Sequence, residues 1–363
     1  MVWGIGEGMF LMFQPLYLQQ LGADPILIGG IIGLTGAAMS IVHLPAGYLS
    51  DRLGRRPLLV IAWFTGTLAA WVMAAARSLP VFVAGSVLYA MTAFVTVPMN
   101  SYITAARNKL SVGRALTLVS AIYNLGAILG PLLGGWIGNR FGLQRNFLVA
   151  AIIFILSSSL ITLIHPQPVE PAATSNGRQR FKQMLTPGFL GFLTLTFLAM
   201  LVLYLPQPLT VNFLQDERGL DLTTIGTLLS IRSLGIVVLN LLLGQVEART
   251  GFFLSQVAVA IFTALIWRGQ GFPWYAAGFL FMGGFQTARA LVYAQARALV
   301  QADTMGLGYG MIETALAFTI VLAPPLAGAL YTLNPEWIYA VSLPGIALAL
   351  LLTSILLPRI KGV

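Results

Sequence analysis

Residues 47–57 read Gly47-Tyr48-Leu49-Ser50-Asp51-Arg52-Leu53-Gly54-Arg55-Arg56-Pro57, a short charged turn between two long apolar runs. Each run is long enough to span a bilayer, which takes about 20 residues at a rise of about 1.5 Å each. A turn holding one acid and three arginines between two spanning helices sits in water at one membrane face. Arginines concentrate on the cytoplasmic side, so that face is predicted to be cytoplasmic.

Composition supports a multi-pass membrane protein. The 363 residues are 58% hydrophobic and 9% charged, where soluble domains carry about 25% charged residues. The net charge of +9 resides in short loops rather than in a basic stripe, so no nucleic-acid partner is expected. With no cysteine, thiol chemistry and disulfides are excluded. There is no basic leader ahead of an apolar stretch, as a signal peptide requires. Met1 instead falls inside an apolar segment, which predicts a first helix lacking its cytoplasmic end.

Working outward from the turn, the apolar runs predict an all-α membrane protein with twelve transmembrane helices. The expected spans are 1–20, 26–49, 57–76, 80–105, 113–138, 147–166, 188–214, 223–246, 252–267, 273–299, 306–331 and 336–357. A barrel is excluded because its strands need polar alternation. The polar segment 167–187, with Pro168, Pro171, Ser175, Asn176, Gly177 and Arg178, reads as a cytoplasmic linker between two six-helix bundles, 1–166 and 188–363. In this arrangement thirteen Lys and Arg residues fall on the cytoplasmic side, five in outer loops and two, Arg232 and Arg289, inside spans. That bias orients the chain in a cytoplasmic (inner) membrane.

The two halves repeat. Ile28-Gly29 recurs as Ile225-Gly226, 197 residues on, and Pro131 recurs as Pro324, 193 residues on. The four-residue slip is expected near the short ninth span. At offset 197, Arg249 aligns with Arg52, and Ala248 takes the place of Asp51.

The pattern Gly47, Asp51, Arg52, Gly54, Arg55, Arg56 resembles the loop between helices 2 and 3 of the major facilitator superfamily of secondary transporters. Span 5 carries Gly126, Gly130, Pro131, Gly134 and Gly135, which resembles the span-5 motif of drug:proton antiporters in that superfamily. The resemblance covers essentially the whole chain. It implies alternating access between two pseudo-symmetric halves, and a gating role for Asp51 against the other half near Gly306. Asp51→Asn is then expected to shift the protein toward inward-open states. The chain departs from the family where such exporters carry an arginine in span 4: Ser86, Tyr89 and Ala90 stand there. By analogy with the family, spans 1, 4, 7 and 10 line the cavity, with 2, 5, 8 and 11 beside them.

Ionisable residues at membrane depth are costly and point to function. Four stand out: Glu7 in span 1, Arg232 in span 8, Arg289 in span 10 and Glu313 in span 11. Glu7 sits in Gly4-x-Gly6-Glu7-Gly8 with small neighbours, and offers a proton or cation site or a partner for a neighbouring helix. Arg289 and Glu313 lie on consecutive antiparallel helices at depths within about one to two turns, so they are expected to form a buried ion pair. Arg232 aligns with Thr35 of the first half and suggests an anionic substrate group or an acidic partner. Gln14, Asn100, Tyr123, Asn124, Gln207, Asn240, Gln286 and Thr287 are weaker candidates for the cavity, because single amides in membrane helices usually bond a neighbouring helix. His43, about two turns above Asp51, reads as a packed neutral histidine rather than a proton relay.

Together these readings predict a monomeric secondary transporter that exports a small organic molecule in exchange for protons. It has no cofactor and no metal, and its partners are the small-molecule substrate and the lipid bilayer. The rival transport reading is uptake of a sugar or organic acid. A different class is a non-transporting membrane sensor on the same fold, which would need neither the gate nor the span-5 motif. An enzyme is disfavoured, because no nucleotide-binding loop, metal-ligand cluster or nucleophile–base pair occurs.

Overall fold

The computed structural model describes residues 1–106, 112–166, 186–296 and 305–356. All secondary structure among them is helical, and ten helices are long and apolar enough to cross a membrane. The helices are α1 Val2–Phe10, α2 Gln14–Gln20, α3 Pro25–Leu53, α4 Arg55–Ala75, α5 Leu79–Met91, α6 Thr96–Ala106, α7 Val112–Phe141 and α8 Gln144–Ile161. They continue as α9 Pro187–Tyr204, α10 Thr210–Asp216, α11 Leu222–Leu243, α12 Ala248–Arg268, α13 Phe272–Met282, α14 Gly284–Ala296, α15 Met305–Leu333 and α16 Trp337–Leu356.

Four of the expected spans are interrupted, and each break has a chemical cause. The first span passes through a 3₁₀ turn at Leu11–Phe13, four residues ahead of Pro15, whose ring clashes with the carbonyl of Leu11 in an α-helix. The fourth does so at Thr92–Val95, ahead of Pro98. The seventh breaks between α9 and α10 around Pro206 and Pro208. The tenth breaks at Gly283, where an added Cβ would overlap the backbone of Gly235 and Ile236. There α11 and the α13–α14 junction touch backbone to backbone.

The chain forms two compact units. The first holds Met1–Asp24, Leu34–Ala173 and Leu214–Ser230; the second holds Pro25–Gly33, Thr174–Phe213 and Ile231–Val363. In the first unit α7 carries glycines on two faces. A Cβ at Gly130 would lie 2.5 Å from the Ile5 carbonyl oxygen and one at Gly134 2.5 Å from that of Met9, so α1 lies directly against this stripe. On the other face, a Cβ at Gly226 of α11 would overlap the Pro131 carbonyl. Ser230 Oγ donates to the Ile128 carbonyl at 2.7 Å, which adds a polar tie to the same contact. The second unit repeats this arrangement: a Cβ at Gly29 of α3 would overlap the Pro324 carbonyl of α15. Gly29 and Gly226, and Pro131 and Pro324, are the pairs the sequence aligns.

Helix starts refine that alignment. Arg55 and Ala248, Leu79 and Phe272, and Gln144 and Trp337 each begin equivalent helices 193 residues apart. The slip therefore falls in the turn just ahead of α4 and α12, next to the expected ninth span. α3 runs 29 residues and is followed by Gly54 alone, whereas α11 runs 22 residues and is followed by four. The contacts agree. Arg56 Nη2 donates to the Thr162 carbonyl at 3.1 Å, and Arg249 Nη2 donates to the Ser354 carbonyl at 2.5 Å. The two arginines cap the C-terminal ends of α8 and α16, where unpaired carbonyls favour a cation. Arg249 is thus the counterpart of Arg56, and its alignment with Arg52 is corrected.

Gly226→Ala is expected to cost about 1–3 kcal/mol, because the opposing carbonyl belongs to a packed helix and cannot yield cheaply. Gly188→Ala, where no atom lies within 4 Å of the new methyl, should be neutral or stabilise by about 0.4–1 kcal/mol. Melting of the two variants in detergent checks this; equal melting temperatures would contradict the packing account.

Candidate functional site

The glycines that bring α1 onto α7 also position Glu7. Its flanking residues Gly6 and Gly8 pack against Phe154 and against Gly130 and Pro131, which leaves the carboxylate room to reach along α7. Tyr123 Oη donates to Glu7 Oε2 at 2.5 Å. The Tyr89 ring, from the stretch where the family's arginine is missing, stacks at 6.1 Å on Phe154 and 6.3 Å on Trp3, and meets Phe10 edge-on at 5.1 Å. Trp3 stacks on Phe154 at 3.9 Å. The Tyr89 hydroxyl is buried and makes no hydrogen bond of acceptable geometry, although its charge environment includes Glu7. Glu7 is half-buried and is flanked by aromatic rings, with one phenol donating to it. Such a carboxylate can take up a proton or hold a cationic group.

In the second unit Arg289 Nη2 meets Glu313 Oε2 at 2.8 Å. Tyr293 Oη donates to the other carboxylate oxygen, Oε1. The pair forms, but it is not buried as the sequence suggests: the side chains are 31% and 53% exposed. The depth estimate places the partners correctly, but nothing in helical spacing reports how much protein covers them. Arg232 is half-buried, and the charges of Arg232 and Arg289 both reach the Tyr204 phenol. Tyr204 in turn stacks on Phe285 at 5.1 Å.

The remaining candidates divide by what they touch. Asn124 donates to the Ser120 carbonyl at 2.9 Å on its own helix, and so bonds locally. Gln207 does the same to Leu203 at 2.8 Å. Gly126, Gly130, Gly134 and Gly135 are packing residues, and Pro131 lies within the continuous helix α7. In the charged turn, Gly54 has φ 83°, a backbone region that suits glycine, and precedes the first residue of α4. The side chains of residues 43–53, including His43, Gly47, Asp51 and Arg52, lie outside the described residues, as does that of Gly306. Sequence reasoning missed the phenols as partners of Glu7 and Glu313. It also missed Asn146, fully buried, whose Nδ2 donates to the Gly134 carbonyl at 2.9 Å.

A family model described as Major Facilitator Superfamily matches residues 1–244 and 192–362. The chain therefore belongs to the major facilitator superfamily of integral, multi-pass membrane transporters. It is 22% identical to multidrug resistance protein 2 of Bacillus subtilis, over 91% of this chain and 86% of that protein. An uncharacterised MFS-type transporter of Methanocaldococcus jannaschii is 27% identical, but the match spans only 42% of this chain and 40% of that protein. A crystal structure of a mutant of the nucleoside transporter NupG has the same fold. It superimposes with a TM-score of 0.87 over 98% of this chain and 97% of that one, at 14% identity.

A double-mutant cycle tests the Arg289–Glu313 contact. Each single alanine variant leaves an uncompensated charge, and the coupling energy between the two sites is expected at about 0.5–3 kcal/mol. The half-exposed setting places it below what a buried pair would give. Strictly additive melting shifts would contradict direct coupling.

Proposed function

We propose that this transporter exports a small organic molecule in exchange for protons, with Glu7 as the coupling carboxylate. The observation that carries the reading is the Tyr123–Glu7 hydrogen bond on the interrupted first span. A carboxylate held by a neutral donor, with no cation bonded to it among the described residues, has two accessible protonation states. Tyr123 stabilises the charged state, and the surrounding rings favour the neutral one. Likeness to a multidrug resistance protein over most of the chain supports efflux as the direction. The likeness to a nucleoside transporter is one of fold and supports no particular substrate.

In this reading the chain works as twelve spans in two six-helix bundles joined by 167–187, as a monomer in the cytoplasmic membrane. Asp51 holds the cytoplasmic gate, and Arg56 anchors the turn that carries it. Breaks at Leu11–Phe13, Thr92–Val95, around Pro206 and Pro208, and at Gly283 fall in the expected first, fourth, seventh and tenth spans. Those are the four spans that line the cavity in the family, and interrupted helices are a recurrent feature of transporter substrate sites.

Glu7→Gln should abolish gradient-driven transport in proteoliposomes while leaving substrate binding or energy-independent exchange. Tyr123→Phe removes one hydrogen bond to a charged group, worth about 1.5–3 kcal/mol. It should therefore weaken gradient-driven transport without abolishing it. Full gradient-driven transport by Glu7→Gln would reject this assignment.

A further inference from the structure

In the second unit, the last turn of α12 meets the start of α16 through one indole. The Arg268 guanidinium lies over the Trp267 ring, 4.2 Å from its centroid. From the edge of the same ring, Trp267 Nε1 donates to Glu336 Oε2 at 3.0 Å. The ring thus holds a cation at its face and an anion at its edge. No ion pair joins Arg268 to Glu336 among the described residues. Both charged side chains are exposed, as are Phe272 and Trp274 of α13 and Trp337 of α16 at the same end. Helix ends explain part of this, because the helix dipole favours a cation at a C-terminus and an anion at an N-terminus. The repeat shows what that leaves over. At offset 193, Trp267, Arg268 and Glu336 align with Ala74, Ala75 and Leu143, and Trp274 and Trp337 align with Val81 and Gln144. The first half ties the corresponding helix ends together without charge. There Gln144 Nε2 donates to the Ala74 carbonyl at 3.1 Å and to the Ala76 carbonyl at 3.4 Å. Joining α12 to α16 therefore requires neither the two charges nor the exposed tryptophans.

We propose that Arg268 and Glu336 together bind the headgroup of a membrane phospholipid that carries a primary ammonium, a phosphatidylethanolamine, with Arg268 on the phosphate and Glu336 on the ammonium. Charge complementarity selects this occupant. Its phosphate and ammonium are joined by a short ethylene bridge, and the indole holds their two partners on adjoining sides of one ring. The planar guanidinium presents a fork that suits phosphate oxygens. Glu336 keeps Oε1 for an ammonium N–H while Oε2 accepts from Trp267. A choline headgroup has no N–H to give that oxygen, and a glycerol headgroup has no positive charge to set against it. Tryptophans gather at the level of lipid headgroups, so Trp274 and Trp337 put the pair at the right depth. Beyond Trp337 the same face of α16 continues with exposed Val341 and Leu348, apolar surface for the acyl chains. The inference requires only that the chain spans a membrane and is independent of the transport reading.

The test is native mass spectrometry of the purified full chain in detergent. It is titrated with phosphatidylethanolamine, phosphatidylcholine and phosphatidylglycerol of matched acyl chains. Phosphatidylethanolamine should bind about two- to fivefold more tightly than either of the others, the range set by an exposed charge pair. Glu336→Gln should bring phosphatidylethanolamine to the phosphatidylcholine level without weakening phosphatidylglycerol. Glu336→Asp keeps the charge and should retain part of the preference. Arg268→Gln should weaken all three lipids. Trp267→Phe keeps a ring under the guanidinium but loses the N–H that holds Glu336, and should lower the preference while phosphatidylglycerol still binds. The proposal is overturned if the three lipids bind alike, or if the preference survives Glu336→Gln. It is overturned too if phosphatidylglycerol binds best and only Arg268→Gln weakens it, which would make this an anionic-headgroup surface. Glycerophosphoethanolamine has the headgroup without the chains. Displacement of the lipid by an equal concentration of it would also overturn the proposal, because the ligand would then be a soluble phosphate ester.

Discussion

Close backbone contact between helices is the constraint on which the rest depends. In a bilayer, lipid tails are as apolar as leucine, so burying leucine between helices gains little. Association must come from van der Waals contact and hydrogen bonds at short range. α7 provides this on two faces. Gly130 and Gly134 admit the carbonyls of α1, while Pro131 offers its own carbonyl to Gly226 of α11. The second unit uses the same device at Gly29 and Pro324. Because a carbonyl fills the space a Cβ would need, the register of each contact is fixed to the residue. Glu7 lies one residue before Gly8 and inherits that fixed position. Its bond to Tyr123 of α7 is therefore a consequence of helix packing as much as of polar chemistry.

Two carboxylates at membrane depth are stabilised in different ways. Glu7 is held by a phenol and surrounded by rings, with no ion pair to it among the described residues. Glu313 has both a phenol and an arginine. A phenol supports either protonation state of an acid, since a neutral carboxyl can still accept from it. An arginine strongly favours the ionised one. Glu313 is consequently tied to a neighbouring cation, whereas Glu7 is tied to a neutral donor.

Most of the fold is legible in the sequence, because membrane spans are long apolar runs and the bilayer leaves few alternatives. The glycine and proline repeats were legible too, since Gly29, Gly226, Pro131 and Pro324 stand at nearly constant offsets. Helix breaks were harder to read. Pro15, Pro98, Pro206 and Pro208 are visible, but prolines also sit within the continuous helices α7 and α15 at Pro131, Pro324 and Pro325. A proline alone does not say whether neighbours will satisfy the carbonyl it frees. The partners of the acids were hidden for a related reason. Tyr123 is legible as a polar candidate but not as a partner of Glu7, and Tyr293 looks like an ordinary apolar-compatible residue; only packing shows that their hydroxyls meet carboxylates. Exposure of the Arg289–Glu313 pair was illegible altogether, because period and depth carry no information about what covers a helix face.

The repeat also separates what the charged turn does for structure from what it does for function. In contact terms Arg56 and Arg249 are equivalent: they close the C-terminal ends of α8 and α16 through a backbone carbonyl. That role is kept in both copies. In the same register Asp51 aligns with Gly244, Arg52 with Gln245 and Arg55 with Ala248, so these three charges have no counterpart at the equivalent positions. Gly54 is replaced by Glu247, whose φ of −50° needs no glycine, in place of 83°. The longer second loop relieves the tight turn. If all four charges served only to fold or orient a helical hairpin, the second copy would be expected to need them as well. The capping arginine is the structural minimum. Asp51, Arg52 and Arg55 are what the first copy carries beyond it.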